Sequence, residues 1–274
     1  MSAPSPSAPP PPPSASSRKL LAAGLVAFVV IALGITWYVL RASTEELALT
    51  QPPPTTSAPT TPAQPPEEPQ PQGPPLPALD QSDPRTRELL GAMSSDPEFQ
   101  KWIANEGLIR RFTAASFNIA EGESPRAVLA FLAPQGAFQV VERSGHTFIA
   151  PESFARYDTV ARVLGSLDTQ ATTQAYKMLK PLIDQAFKEI GPPGQRFDST
   201  LSRAIQRMLD TPVPEGDLEV VDTPGVNYAY AAPELEQLSA AQKHLLRMGP
   251  ANARAIQAKL RELHKALGLP AAGR

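Results

Sequence analysis

Three imidazoles are available for acid–base or metal chemistry: His146, His244 and His264. None has a second His three or four residues away, so no zincin-type pair is expected, and all three read as surface or core histidines. The chain has no Cys, which removes thiolate metal sites, disulfides and thiol nucleophiles. Glu121/Glu123 and Asp217/Glu219 are carboxylate pairs two residues apart in turn-like sequence. A glycosidase pair would have to converge from distant segments instead. Gly191-Pro192-Pro193-Gly194 resembles a phosphate loop only in its glycines, because Pro removes the N–H groups that would cradle the anion. There is no G-x-S-x-G elbow, Walker loop or dinucleotide fingerprint. These residues lead us to expect no catalytic, cofactor-binding or metal site, and no cofactor.

What remains is charge. Over the whole chain, 25 basic and 27 acidic residues leave a net charge of −2, with no global drive toward nucleic acid or anionic membrane. Between Pro233 and Arg274 the balance is seven basic to three acidic. Arg254, Arg261 and Lys265 fall at i, i+7 and i+11, on one face of a helix and opposite a Leu stripe. They are the candidate partner-binding face, for an acidic protein or an anionic glycan; the plainer reading is a solvated face whose cations suit the helix C-terminus. No aromatic residue follows Tyr230, so a nucleic-acid stacking platform is not expected there. Phe99, Trp102 and Phe112 could line a groove, but they read first as core, as do Tyr157, Tyr228 and Tyr230.

The longest apolar run, Leu20 to Leu40, determines how any such face is presented. It is 21 residues without a charge and would be about 31 Å long as a helix, the thickness of a bilayer's hydrocarbon core. Twelve of its residues are Leu, Ile, Val or Phe, each favouring insertion by about 0.3 to 0.6 kcal/mol. It has no polar stripe, and Arg41-Ala42-Ser43 fits a signal cleavage site poorly, so an uncleaved single-pass anchor is expected. Arg18 and Lys19 precede the run and only Arg41 follows closely. By the positive-inside rule, this puts the N-terminus in the cytoplasm and the rest outside it.

Around the anchor the chain divides by composition. Residues 1–17 are a Pro/Ser-rich tail and 18–41 the transmembrane segment. Residues 42–77 are a Pro-rich linker with polyproline II character, in which missing N–H groups block helix and sheet. Residues 78–268 are a globular, mainly helical domain of α+β type with one or two short β-hairpins, and 269–274 are a disordered end. From Asp80 onward 22 basic residues meet 23 acidic ones. The domain is long enough to bury a core without staples.

Within it, Ser82-Asp83-Pro84 and Ser95-Asp96-Pro97 are helix starts. Leu108 to Ala120 is helical, with Leu108, Phe112, Ala115 and Ile119 on its inner face and Arg110 and Arg111 beside it. The type of the apolar stretch Val128 to Leu132 is open. Ala137 to Ala150 is a hairpin turning at Ser144-Gly145. Pro151 opens a helix carrying Phe154, Tyr157, Ala161, Leu164 and Leu167. Asp168 caps the longest helix, which Pro181 should kink but not end. Asp198 caps the next helix. Two short strands flank Pro224-Gly225, and Pro233 starts a helical turn. Ser239-x-x-Gln242 is a capping box. The last helix runs from Pro250 to Gly268 with a stripe of Ile256, Leu260, Leu263 and Leu267.

Five stretches carry a family likeness: LPALDQSDPRTRELL, WIANEGLIRRF, FARYDTVARVLGSLD, YKMLKPLIDQAFKEIG and LSAAQKHLLRMGPANARAIQAKLREL. With the anchor and the Pro-rich linker they resemble the bacterial family catalogued as domain of unknown function 3014, over most of residues 76–268. The resemblance implies a bacterial, membrane-anchored, mainly helical domain and carries no activity, ligand or site residue with it.

The resulting expectation is an inner-membrane protein whose extracytoplasmic domain is an interaction or assembly module, with the lipid bilayer as one partner and an envelope protein or glycan as another. The competing expectation is an envelope enzyme acting on cell-wall material through scattered acidic residues. A third places the domain in the cytoplasm on an inverted anchor. The sequence leaves oligomeric state open.

Overall fold

A computed structural model describes residues 76–225 and 228–272. The expected tail, the Leu20 to Leu40 span and residues 42–75 of the linker lie outside the described residues. Among those described are ten α-helices and one four-stranded antiparallel sheet. No described helix is long and apolar enough to cross a membrane.

Three helices open the domain: α1 (Asp83–Gly91), α2 (Pro97–Ile103) and α3 (Leu108–Glu121). Asp96 caps α2 as expected, accepting from the Glu98 N–H at 2.9 Å. Ser82 does not cap α1, because its hydroxyl turns back to the Leu79 carbonyl at 2.7 Å. Asp83 instead reaches across to the start of α3 and accepts from the Gly107 and Leu108 N–H groups at 2.7 and 3.1 Å. These are donors that a helix start leaves unsatisfied.

The inner face of α3 also differs from expectation. Ala115 is buried as expected, but its buried companions are Ile109, Thr113, Ser116 and Ala120, while Phe112 is 39% exposed. Small side chains let α3 approach its neighbours closely, and the Thr113 hydroxyl donates back to the Ile109 carbonyl at 2.7 Å, so it is buried satisfied. The open stretch after α3 forms two 3-10 turns, Pro125–Ala127 and Ala130–Leu132.

The Pro151 helix is two helices, α4 (Pro151–Ala155) and α5 (Asp158–Gly165), with the break at Tyr157 (φ −103°, ψ 0°). Next, α6 (Thr169–Ile190) is capped by Asp168, which accepts from the Ala171 N–H at 2.7 Å, and it continues through Pro181. Helix α7 (Phe197–Leu209) starts one residue before Asp198, without a side-chain cap. Asp198 is drawn away by Tyr176, whose hydroxyl donates to it at 2.5 Å, and by Lys180 at 3.5 Å.

After α7 come α8 (Pro233–Glu236), α9 (Ala240–Leu246) and α10 (Pro250–Leu267). The capping box at Ser239 and Gln242 forms in full. The deeply buried residues of α10 are Asn252, Ala253, Ile256 and Gln257, not the outer leucines. Gln257 donates to the Met208 and Thr211 carbonyls, both at 2.9 Å, at the C-terminal end of α7.

The strands are β1 (Val140–Arg143), β2 (His146–Ile149), β3 (Glu219–Asp222) and β4 (Tyr228–Tyr230), in the order β1-β2-β3-β4. The first hairpin turns at Ser144 (φ 52°) and Gly145 (φ 81°), the two positive values that a tight right-twisted hairpin requires. The two hairpins join through Thr147 opposite Val220, so the sheet spans about seventy residues of intervening helix.

Four apolar clusters hold these elements together. In the largest, Leu179, Ile183 and Phe187 of α6 meet Ile109 of α3 and Phe197, Leu201 and Ile205 of α7. Phe197 is fully buried, with edge-on ring contacts to Phe187 (5.5 Å) and Phe112 (5.6 Å). A second cluster joins Phe99 and Ile103 to Val163, Leu167 and Ala175. A third lies under the sheet at Ile149, Val220, Tyr230 and Leu246, and a fourth links Ala161, Met208, Leu245 and Ile256. Truncating Phe197 to Ala removes a ring that is wholly buried. Urea unfolding of Phe197→Ala is expected to show a loss of about 3 to 5 kcal/mol.

Candidate functional site

The sequence-derived candidate lies on α10. Arg254, Arg261 and Lys265 are all exposed, on the side away from Ala253 and Ile256. Arg254 donates to the Pro214 carbonyl at 3.3 Å. The Arg261 and Lys265 side chains make no hydrogen bond or ion pair with any described residue. Glu262, between them in sequence, is taken up by Lys259 at 2.7 Å and by the Thr169 hydroxyl. The Lys259 ammonium holds the Glu262 carboxyl below its ordinary range. Two cations are thus left unneutralised on a helix whose opposite face is fixed in the core.

A second concentration of charge surrounds an open groove of about 700 Å³ beside the starts of α1 and α3, lined in part by Asp80, Asp83, Arg87, Arg110 and Arg111. Each of these charges is engaged within the fold. Arg110 forks onto Glu189 at 2.8 and 2.9 Å and reaches Asp80 at 2.7 Å. That fork raises the arginine's pKa and holds the Glu189 carboxyl low. Arg87 donates to the Ile103 carbonyl at 3.0 Å and the Asn105 carbonyl at 3.2 Å, closing the C-terminus of α2. Arg111 ties the Glu106 and Val128 carbonyls at 2.8 and 2.9 Å. The groove is a junction of helix ends held by charged side chains.

Three of the four carboxylates noted in sequence have side-chain partners of their own. Glu121 pairs with Arg203 at 3.1 Å, Asp217 with Arg143, and Glu219 with His146 at 2.6 Å. Among the described residues, no group of three or more His, Asp or Glu could hold a metal ion. Of the aromatic candidates, Phe99 is buried in the second cluster and Trp102 packs against it.

The histidines have three separate environments. His146 is exposed on β2. His264 Nε2 lies 3.1 Å from the Ser202 hydroxyl. His244 is half-buried on α9, with Nδ1 3.1 Å from Ser124 Oγ and its ring edge-on to Tyr157 at 6.4 Å. Burial, then the nearby Arg247 and Arg126, lower its pKa. Burial also drives the Tyr230 hydroxyl, which has no partner among the described residues, to a raised pKa.

These features define a mainly helical domain with a small antiparallel sheet, in which charged side chains chiefly tie helix ends together. The chain belongs to the family described as "Protein of unknown function (DUF3014)", whose model matches residues 108–264. No curated protein and no solved structure matches the chain.

The His244 environment sets a pH dependence. A pKa lowered in the folded state means that the neutral ring is favoured by folding. Its contribution is fully present above the unfolded value of about 6.5 and is lost as pH falls toward the folded value. Urea unfolding at pH 7.5 and pH 5.5 is expected to show a larger acid loss for the native chain than for His244→Gln.

Proposed function

We propose that the chain is a single-pass, membrane-anchored bacterial envelope protein whose helical domain serves as an interaction or assembly module outside the cytoplasm. The anchor reading rests on the uncharged run Leu20 to Leu40 and the Arg18-Lys19 pair before it. The interaction reading is carried by one observation: Arg261 and Lys265 stand exposed and without a counter-ion on a helix rigidly packed on its other side. A partner that presents carboxylates or an anionic glycan would complete this face, with Arg254 at its far end. Guanidinium groups suit such partners because they fork onto planar anions. The Pro-rich segment at 42–77 supplies an extended spacer between anchor and domain.

The test is co-purification of cross-linked partners from envelope fractions with the full chain. Arg261→Glu combined with Lys265→Glu should abolish capture of whatever the native chain retains, without moving the thermal midpoint. Capture by the native chain should also weaken in high salt, as expected for exposed charges. Equal capture by the native and charge-reversed chains would contradict the reading.

A further inference from the structure

The sheet has two edges, and the fold treats them differently. On β4 the Ala231 N–H donates to the Glu219 carbonyl at 3.0 Å, and Ala229 stands opposite Val221. In an antiparallel ladder this alternation turns the Tyr230 backbone groups outward. The Glu236 carboxylate of α8 accepts from the Tyr230 N–H at 2.9 Å, so the outward donor of that edge is answered within the fold. On β1 the Ala150 N–H donates to the Gln139 carbonyl at 3.1 Å, and Val140 and Val141 stand opposite Ile149 and Phe148. Gln139, Val141 and Arg143 therefore bond toward β2, while the N–H and C=O groups of Val140 and Glu142 point away from the sheet. The Ile149 N–H confirms the phase, because it donates to the Leu218 carbonyl beside β3 at 2.9 Å and not back to β1. No described residue bonds the outward groups of Val140 or Glu142.

Apolar side chains lie beside this open edge. Val140 and Ile149 face the third core cluster, so Val141 and Phe148, directly opposite each other, share the outer face of the sheet. An open edge of this kind is a template for another strand. The residues of β1 indicate which strand. Laid antiparallel on itself across a two-fold axis at Val141, β1 sets Val140 opposite Glu142 of the partner subunit. Every outward N–H and C=O then meets a counterpart. Val141 lies against Val141 of the partner subunit, which continues the Phe148–Val141 row across the axis, and Arg143 falls opposite the partner's Gln139. Shifted two residues one way, Glu142 would face Glu142 of the partner subunit, like charges directly opposite and destabilising. Shifted the other way, it would fall opposite Phe138 of the partner subunit, outside the strand. Charge and strand length together select one register, in which no like charges face each other.

We propose that β1 is a self-association edge, at which two copies of the chain pair antiparallel about Val141 and join their sheets into one. The contact uses the same surface on both copies, so it closes at a dimer. It is short, and the dimer is accordingly weak and reversible. The inference does not rest on the α10 face.

The chain has no Cys, so single cysteines report the contact. At a non-hydrogen-bonded antiparallel position the two Cα atoms stand about 4.5 Å apart, within disulfide range. The full chain carrying Val141→Cys, oxidised in lysates of expressing cells, should run as a covalent dimer on a denaturing gel. Val221→Cys, on the same face but two strands away and 45% exposed in the native chain, should stay monomeric. Adding Glu142→Pro to Val141→Cys should cut the cross-link about tenfold or more without moving the thermal midpoint. Pro there removes an outward N–H that the ladder to β2 does not use. If Glu142→Pro lowers the midpoint, Val141→Lys in the otherwise native chain decides by light scattering: it sets like charges face to face and should convert a concentration-dependent dimer into a monomer. No cross-link at position 141, equal cross-linking at 141 and 221, or a dimer that survives Glu142→Pro in a folded chain or Val141→Lys would overturn the proposal.

Discussion

Burial of α6 along its length is the constraint on which the rest of the domain depends. At one end Ala175 closes the cluster built on Phe99 and Val163, and further along Leu179, Ile183 and Phe187 anchor the larger cluster around Phe197. A single 22-residue helix thus joins two cores, and by running on through Pro181 it brings Leu182, Ile183, Ala186 and Phe187 into the larger one. Pro withholds one N–H and crowds the carbonyl four residues earlier, a penalty of about 3 kcal/mol in a helix interior. The apolar contacts on both sides of Pro181 offset that penalty. Helices α3 and α7 pack on α6 through the larger cluster.

Helix ends explain where most of the charge goes. A helix start exposes N–H groups and a helix end exposes carbonyls, and a fold of many short helices has many of both. Asp83, Arg87 and Gln257 each satisfy an end of a helix other than their own. Exposed cations that remain without such a role are therefore informative. Arg261 and Lys265 lie together on the exposed side of α10. They sit on a helix packed into the core, so their backbone positions are held before any partner arrives, which lowers the entropy loss on binding.

Local signals in the sequence were legible where the interaction is itself local. Asp96, Asp168 and the Ser239–Gln242 box cap the helices they precede, and Ser144-Gly145 turns the hairpin it was expected to turn. Family membership was likewise readable from ordered stretches such as YKMLKPLIDQAFKEIG. The misreadings all have tertiary causes. Asp198 left its cap for Tyr176, and Asp83 serves a helix that starts more than twenty residues later. The inner face of α3 uses Thr113 and Ser116, whose hydroxyl groups hid them from an apolar pattern. Asn252 and Gln257 were hidden on α10 in the same way. The exposed basic face of α10 followed from helical periodicity alone.

The central claim is that a membrane anchor presents this domain outside the cytoplasm, and the absence of Cys makes that claim directly measurable. Single Ser5→Cys and Ser57→Cys chains, expressed in intact bacterial cells, can be probed with a membrane-impermeant maleimide. The account predicts labelling at position 57 and none at position 5. Labelling at position 5 alone would place the domain in the cytoplasm and contradict it, and labelling at both positions would remove the anchor on which it rests.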